Sequence, residues 1–270
     1  MGAVLQNKNL SSTISESATR VSVIDVGKGD CILLQVGGQA ALIDTGYENT
    51  SAKVLSYLRG RGVSSLEFLI ITHYDRDHIG GVRAIGESLA IGKVYLPAYE
   101  GADKHYRTLM STISKLGLPT QRVTDEMLLK LGYASLSAYP SGVTYIPDAK
   151  GDEGNDNDLS IAVSLTYGGD SYLFAGDLET DGLIDYLRGK HGQFDVLKAP
   201  CHGKKSPYND EFIEDVRPKI AIITDSAEEP AGKKTLKVLA EAGIDVYRSS
   251  TDGTVVVEGN GAGDYTVTRM

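Results

Sequence analysis

Four side chains that commonly bind metal ions fall within six residues of one another. His73, Asp75, Asp77 and His78 lie in the run HYDRDHIGG. Imidazole and carboxylate groups together suit divalent cations such as zinc and manganese. A single histidine is more often structural, but four such side chains directly after an apolar segment are not typical of surface decoration. The run therefore predicts a metal centre.

The segment before this run predicts a buried strand that positions it. Residues 66–73, LEFLIITH, are almost continuously apolar, which is typical of a strand covered on both faces. A loop at the end of such a strand can turn the four side chains toward one point. Gly80 and Gly81 follow, and we expect them to adopt backbone conformations that only glycine reaches at low cost.

Other short apolar segments alternate with amphipathic ones along the chain. The patterns predict strands at residues 21–26, 31–36, 41–44, 159–167, 171–177, 194–199, 219–225 and 244–248, two short strands around Pro140 within residues 131–147, and a closing hairpin. They predict helices at residues 50–60, 104–116, 178–189, 208–216 and 231–242. No linker or repeat divides the strands. We therefore expect a flexible tail, residues 1–19, and one α/β domain, residues 20–270, built as a four-layer α/β/β/α sandwich.

Composition limits the classes of partner. The chain has 270 residues, a net charge of −9 and a pI of about 5.1, which argues against sequence-blind coating of DNA. A phosphate-bearing substrate is still possible, because bound divalent ions make a site locally positive. No apolar run approaches the roughly 20 residues of a membrane helix, and the first 20 residues lack the apolar core of a signal peptide. We expect a cytoplasmic protein with no membrane segment.

The run HYDRDHIGG resembles the signature of the metallo-β-lactamase superfamily, whose usual form is His-x-His-x-Asp-His. Aspartate at the second ligand position is similar to the ComEC/Rec2 competence branch. Further stretches resemble that branch in the expected order: DVGKGDCILLQ (25–35), LIDTG (42–46), NDNDLSIAV (155–163), YLFAGDLE (172–179), FDVLKAPCHGKKS (194–206) and YRSSTDGTV (247–255). The resemblance covers roughly residues 20–258. It implies the metallo-β-lactamase fold and metal-dependent hydrolysis.

The resemblance also implies a set of metal ligands. One ion would be held by His73 and Asp75, and a second by Asp77, His78 and His202. Asp177, which ends an apolar strand, would bridge the two ions. From the residues alone, Asp177 is equally well explained as the N-cap of the following helix.

Two departures from the family pattern concern these ligands. Many members have a histidine where this chain has Asn155-Asp156-Asn157-Asp158, so the first ion would lose a nitrogen ligand and bind oxygens, such as that of Asn157, or water. By composition alone, the acidic stretch 148–158 is typical of a solvated surface loop. Cys201 stands at the first position of the expected His-His-Gly and is an alternative ligand to His202, because a thiolate binds zinc.

Neighbouring charges have two interpretations. Lys204 and Lys205 are either solvated surface residues or hold a substrate phosphate beside the metals. The glycine-rich turn that contains Asp25 and Asp30 lacks the spacing of a nucleotide-binding loop, and we expect its carboxylates to brace metal ligands.

The expected cofactor is one or two divalent ions, zinc or manganese. Such ions generate a hydroxide near neutral pH, which attacks phosphorus or a carbonyl carbon and which Asp77 or Asp75 would orient. The leading hypothesis is a phosphodiesterase acting on a small phosphate-bearing molecule or on nucleic acid, in the manner of a nuclease. The alternatives are an ester, thioester or lactam hydrolase and a non-catalytic metal-binding module. His105 and His191 have no ligand-type neighbours and are expected to be structural or exposed.

Overall fold

The computed structural model describes residues 18–146 and 154–270. Its strands are, in chain order, β1 Thr19–Val23, β2 Ile32–Val36, β3 Gln39–Ile43, β4 Ser65–Leu66, β5 Phe68–Ile70, β6 Ala90–Ile91, β7 Val94–Pro97, β8 Thr120–Val123, β9 Met127–Leu131, β10 Ala134–Tyr139, β11 Ala162–Tyr167, β12 Asp170–Phe174, β13 Val196–Lys198, β14 Ile220–Ile223, β15 Asp245–Arg248, β16 Val255–Gly259 and β17 Tyr265–Arg269. The helices are α1 Ser51–Gly60, α2 Arg76–Ile79, α3 Val82–Ser88, α4 Lys104–Leu116, α5 Thr180–Gly189, α6 Asn209–Val216, α7 Lys233–Glu241 and α8 Ser249–Asp252.

Two large sheets contain nearly all of these strands. The first has the order β17-β16-β1-β2-β3-β5-β7-β8, and β3, β5, β7 and β8 are mutually parallel. The second has the order β15-β14-β13-β12-β11-β10-β9, and β12 to β15 are parallel. Strands β4 and β6 form a small separate pair. Each large sheet is therefore part parallel and part antiparallel.

Alternate residues of strand β5 face opposite sides of the first sheet. Phe68 and Ile70 belong to the apolar core between the two sheets, whereas Leu69 and Ile71 belong to the core beneath the helices. The prediction of a strand covered on both faces is confirmed. The second sheet is covered likewise, since its outer core contains side chains of α5, α6 and α7. Helices α1, α3 and α4 cover the first sheet, so the layers are α/β/β/α, as predicted.

Of the two short strands predicted around Pro140, the structure has one, β10, whereas the described residues 140–146 form no strand. The hairpin lies earlier in the chain, where Leu131 of β9 pairs with Ala134 of β10 across a two-residue turn. Gly132 occupies that turn with φ 54°, a conformation that favours glycine. Strand β10 ends at Tyr139, because the following proline has no N–H to donate to a sheet.

Two predicted segments extend beyond the described part of the chain. Residues 1–17 of the expected tail and residues 148–153 of the expected acidic loop lie outside it, and β1 begins at Thr19. Within residues 18–146 and 154–270, no helix combines the length and apolarity needed to cross a membrane.

Candidate metal centre

The side chains predicted to bind metal lie where strands of both sheets end. His73 follows β5, Asp177 follows β12, and His202 lies on a 3₁₀ turn, Pro200–Gly203, just after β13. The carboxyl ends of neighbouring parallel strands share one edge of a sheet, where sites in such sheets usually form. The two parallel regions bring His73, Asp177 and His202 to one edge of the sandwich.

Three groups of side chains, all containing His78, have the spacing of a metal site: His73, His78 and Asp177; Asp77, His78 and His202; and Asp30, Asp44 and His78. Asp177 lies between the first two groups: Oδ1 is 3.5 Å from Nε2 of His78, and Oδ2 is 2.9 Å from Nε2 of His202. Nε2 of His202 is also 3.5 Å from Oδ2 of Asp77. This arrangement fits a carboxylate shared by two ions.

The nitrogen atoms at the centre are suited to metal coordination. The Nε2 atoms of His73, His78 and His202 are buried, and each lies between 2.9 and 3.6 Å from a carboxylate oxygen of Asp75 or Asp177. Three such imidazole nitrogens converge near the carboxylates of Asp77 and Asp177, so the donor set fits one or two divalent cations.

Asp44 orients His78. Its Oδ2 lies 2.8 Å from Nδ1 of His78, and the carboxylate also accepts hydrogen bonds from the backbone N–H and hydroxyl of Thr72, at 2.8 and 2.7 Å. A proton on Nδ1 leaves Nε2 free to face the cluster, as is common for metal-binding histidines. No local sequence pattern marked Asp44 as part of the centre, although it follows an apolar strand, as His73 and Asp177 do.

Asp30 acts on His202 through Thr224. The Thr224 hydroxyl is 2.9 Å from Nδ1 of His202 and donates a hydrogen bond of 2.7 Å to Oδ1 of Asp30. Asp30 therefore has the bracing position expected of the glycine-rich turn. Asp25 does not: its carboxylate contacts Nζ of Lys53 at 2.5 Å and the backbone N–H of Gly27.

Lys198 is a buried cation beside the cluster. Its Nζ lies 2.5 Å from Oδ2 of Asp30 and 3.3 Å from Oδ1 of Asp177, and it donates a hydrogen bond to the carbonyl oxygen of Gly176. Burial lowers the pKa of Lys198, but the charges of Asp30 and Asp177 outweigh it and raise the pKa above its usual value. The sequence signal for Lys198 is a lysine inside the apolar strand FDVLKA.

The ionisable groups of the centre stabilise one another's charges. Burial lowers the pKa of His78, yet the charges of Asp177 and Asp44 raise it well above its usual range. His202 is shifted in the same direction by Asp177 and Asp77. The opposite shift occurs at Asp77, where burial raises the pKa but the two histidines lower it strongly.

Cys201 contacts Glu179 and belongs to none of the metal-type groups of the described residues. Its Sγ donates to Oε1 of Glu179 at 3.1 Å, and Nδ2 of Asn157 donates to the same oxygen at 3.0 Å. Burial, followed by the charges of Asp177 and Glu179, raises the pKa of Cys201 and disfavours the thiolate. Cys201 and His202 both have left-handed backbone conformations, with φ of 43° and 51°, a strained turn that points consecutive side chains in different directions.

Three expectations about local structure need correction. Gly80 and Gly81 have ordinary right-handed helical backbones; glycine is needed for space, because a Cβ on either would collide with the backbone of Glu48 or Thr45. Helix α5 has Glu179, not Asp177, as its N-cap. The expected solvated loop is wrong for Asn155–Asp158, which are buried or half-buried.

The remaining predicted residues lie outside the cluster. Lys204 and Lys205 are exposed on the loop that follows His202. His105 is half-buried on α4, and His191 packs against the rings of Tyr139 and Tyr186, with centroids 4.2 and 4.5 Å apart. Neither histidine occurs in a metal-type group of the described residues.

Comparison with known proteins identifies relatives across this whole region. The family model of the metallo-beta-lactamase superfamily matches residues 24–224. ComE operon protein 3 of Bacillus subtilis is 25% identical over 261 residues, 88% of this chain and 33% of that protein. Recombination protein 2 of Haemophilus influenzae is 27% identical over 248 residues, 90% of this chain and 28% of that protein. The resemblance to the competence branch is confirmed, and the chain spans about a third of the length of these curated relatives.

Solved structures share the fold at low sequence identity. The metallo-beta-lactamase fold protein YhfI of Bacillus subtilis has a TM-score of 0.60 and 15% identity, covering 90% of this chain and 100% of that chain. CmlA, a diiron beta-hydroxylase from Streptomyces venezuelae, has a TM-score of 0.55 and 15% identity, covering 96% and 55%. A hydroxylase among these structures illustrates that the fold alone does not define the reaction. With the family match and the clustered histidines and aspartates, however, the chain belongs to the metallo-beta-lactamase superfamily of metal-dependent hydrolases.

Proposed function

We propose that the chain is a metal-dependent phosphodiesterase. The proposed ligands are the residues that the sequence and its resemblance indicate: His73, Asp75, Asp77, His78, Asp177 and His202. The observation that favours phosphate over a neutral carbonyl substrate is a set of cationic side chains around an otherwise acidic centre. A diester phosphate carries a full negative charge, whereas an ester or lactam carbonyl does not.

Lys28 is a partly exposed cation beside the proposed ligands. Its Nζ lies 3.7 Å from Oδ2 of Asp77 and 3.6 Å from a carboxylate oxygen of Glu229, and its side chain is 18% exposed. Burial lowers its pKa, but Asp77 and Glu229 raise it, so the ammonium remains charged. It is placed to meet a phosphate that approaches Asp77. Lys204 and Lys205, on the exposed loop after His202, are proposed to add charge on that side.

A groove lined by residues of α2 to α4 carries further positive charge. It has a volume of about 610 Å³ and lies between α2, α3 and α4. Its wall includes exposed Arg76, Lys104, Arg107 and Lys115, in a chain whose net charge is −9. In the sequence, Arg76 lies between the proposed ligands Asp75 and Asp77. A groove lined by several cations suits a substrate with several phosphates.

The proposed chemistry uses the residues already described. When bound, divalent ions would activate water and stabilise negative charge on phosphate oxygens. Asp75 and Asp77 would orient the attacking water, and Lys28 would compensate charge on the phosphate. Asp44 and Asp30 would hold His78 and His202 in orientation. Relatives named as a recombination protein and a competence protein support nucleic acid as the substrate.

A substrate panel tests the proposal against its alternatives. Purified protein supplied with Mn²⁺ or Zn²⁺ would be assayed on bis-p-nitrophenyl phosphate, a carboxylic ester, a thioester and a lactam. We expect turnover of the diester that Asp77→Ala abolishes and Asp25→Ala preserves, because Asp25 faces Lys53 instead of the cluster. Turnover of the ester, thioester or lactam alone would favour a carbonyl hydrolase. Metal binding without turnover of any substrate would favour a non-catalytic module.

A further inference from the structure

Glu229 is an anion at the mouth of the candidate metal centre. One of its carboxylate oxygens lies 3.6 Å from Nζ of Lys28, and the same Nζ is 3.7 Å from Oδ2 of Asp77. The side chain of Glu229 is 59% exposed, whereas those of Lys28 and Asp77 are 18% and 8% exposed. The three side chains therefore run from solvent to the proposed ligands, and a phosphate bound by Lys28 lies close to a negative charge.

A tight turn after β14 holds Glu229 in this place. The backbone N–H of Glu229 donates to the hydroxyl of Ser226 at 3.0 Å, and the N–H of Ser226 donates to the carbonyl oxygen of Glu229 at 3.3 Å. Beyond the turn, the N–H of Ala231 donates to the buried carboxylate of Asp225 at 2.8 Å. Asp225 is itself paired with Arg248. Hydrogen bonds therefore fix the turn at both of its ends.

The residues on either side of this turn contact the segment that carries a proposed ligand. The hydroxyl of Thr224, which precedes the turn, lies 2.9 Å from Nδ1 of His202. Gly232, three residues after the turn, donates its backbone N–H to the carbonyl oxygen of Gly203 at 2.9 Å. The position of Glu229 is therefore coupled to that of the 3₁₀ turn with His202, and its charge has a defined place relative to the centre.

The carboxylates that act on Lys28 belong to Asp77, Glu229 and Asp177. Asp77 and Asp177 are proposed ligands, so bound cations would compensate their charge, whereas Glu229 lies outside the proposed ligand set. Electrostatic repulsion is proportional to the product of the charges. A phosphodiester carries one negative charge, and a phosphomonoester carries nearly two above its second pKa of about 6. Glu229 therefore opposes a monoester about twice as strongly as a diester.

We propose that Glu229 is a specificity-determining residue, which makes the centre select phosphodiesters over phosphomonoesters. Lys28 attracts the single negative charge of a diester, and Glu229 repels the second charge of a monoester. In a nucleic acid, the centre would therefore accept internal linkages and disfavour a terminal phosphate. The inference rests on the proposed phosphodiesterase function and concerns only which kind of phosphate the site accepts.

Anion binding tests the selectivity without any turnover. Calorimetric titration of Zn²⁺-loaded protein at about pH 8 would compare dimethyl phosphate, a monoanion, with methyl phosphate, a dianion. Glu229→Gln removes one negative charge, so we expect the affinity to rise about threefold for dimethyl phosphate and about tenfold for methyl phosphate. Glu229→Lys should enlarge both changes. The matched control is Glu228→Gln, the exposed neighbour on the same turn, which should change both affinities little.

Kinetics provide a second measure of the same selectivity. The ratio of kcat/KM for bis-p-nitrophenyl phosphate to that for p-nitrophenyl phosphate should fall about threefold in Glu229→Gln and stay unchanged in Glu228→Gln. Thermal unfolding of each variant monitors the fold, because a merely structural ion pair would lower Tm without changing selectivity. An unchanged ratio of the two affinities in both variants of Glu229, or binding of neither anion, would overturn the inference. The expected shift in affinities without any turnover would instead contradict the proposed function alone.

Discussion

Oδ2 of Asp44 lies 2.8 Å from Nδ1 of His78, and both side chains are completely buried. We expect Asp44→Asn to lower metal affinity about 10- to 100-fold, because the amide no longer fixes the imidazole in the tautomer that presents Nε2 to the cluster. Competition with a fluorescent chelator would measure the change. Asp25→Asn, which removes a carboxylate outside the cluster, provides the control. Equal affinities of Asp44→Asn and the unmodified chain would contradict this role.

Metal affinity and stability should depend on pH in opposite ways. The pKa of His78 is raised in the folded chain by Asp177 and Asp44, so its protonation stabilises the fold fully below the unfolded pKa of about 6.5. That stabilisation is lost as the pH rises through the higher folded pKa. Metal must displace the same proton, so its affinity should rise over this range.

The expected result is a falling Tm of metal-free protein as the pH is raised above neutrality, with a much smaller fall when metal is saturating.

At acid pH, stability is expected to change with pH in the opposite direction. The pKa of Asp77 is lowered in the folded chain, so its contribution is present above its unfolded pKa of about 3.9 and is lost as the pH falls through the folded value. Differential scanning calorimetry with and without Mn²⁺ measures the change of Tm in both the acid and the alkaline range. A metal-free Tm that keeps rising above neutral pH would contradict the shift at His78.

The basic groove should matter for long substrates and much less for short ones. Replacing Lys104 and Lys115 by glutamine should raise KM for a single-stranded oligonucleotide and reduce the salt dependence of binding by about one slope unit per lost phosphate contact. Kinetics on bis-p-nitrophenyl phosphate should change far less. Lys234→Gln and Lys237→Gln on α7 remove the same charge from the opposite helical layer and serve as the control. Equal effects of both pairs would show that only net charge matters.

Lys198 is expected to stabilise the fold as well as the centre. Lys198→Met leaves Asp30 and Asp177 without their buried cation, and losing one partner of a buried ion pair costs about 3–5 kcal/mol. A bound divalent ion would replace part of the lost charge, so the deficit should shrink in the presence of metal. Chemical denaturation of both proteins, with and without Zn²⁺, compares the two losses. A deficit that is the same with and without metal would contradict electrostatic coupling between Lys198 and the centre.

The sequence predicted the candidate metal ligands best where they lie close together along the chain. His73 and His78 lie in one short run after an apolar strand, so their proximity follows from chain connectivity. Asp177 and His202 come from the other sheet, and only the family resemblance assigned them. Asp44 lies 34 positions before its partner His78, and no local pattern records that contact.

The sequence patterns gave wrong predictions for segments whose environment depends on packing against distant residues. The acidic composition of residues 155–158 suggested exposure to solvent, but Asp156 is buried, and the neighbouring Ser160 is hydrogen-bonded to His73 and Asp177 after the strands of both sheets. Similarly, Gly80 and Gly81 suggested unusual dihedrals, whereas the constraint is the closeness of another backbone segment. Pattern reasoning identifies the elements of this chain, but it does not measure the space between them.

Strand β1 lies between β2 and β16, so the first sheet joins the beginning of the described chain to its end. Thr19 pairs with Val36 on one side and with Gly259, about 240 positions later, on the other. During synthesis on a ribosome, one edge of β1 therefore stays unpaired until β16 has emerged, and an open strand edge invites association with other chains. Contacts so distant in sequence also slow folding. Nascent chains of this protein are thus expected to need chaperones until their last hairpin is made.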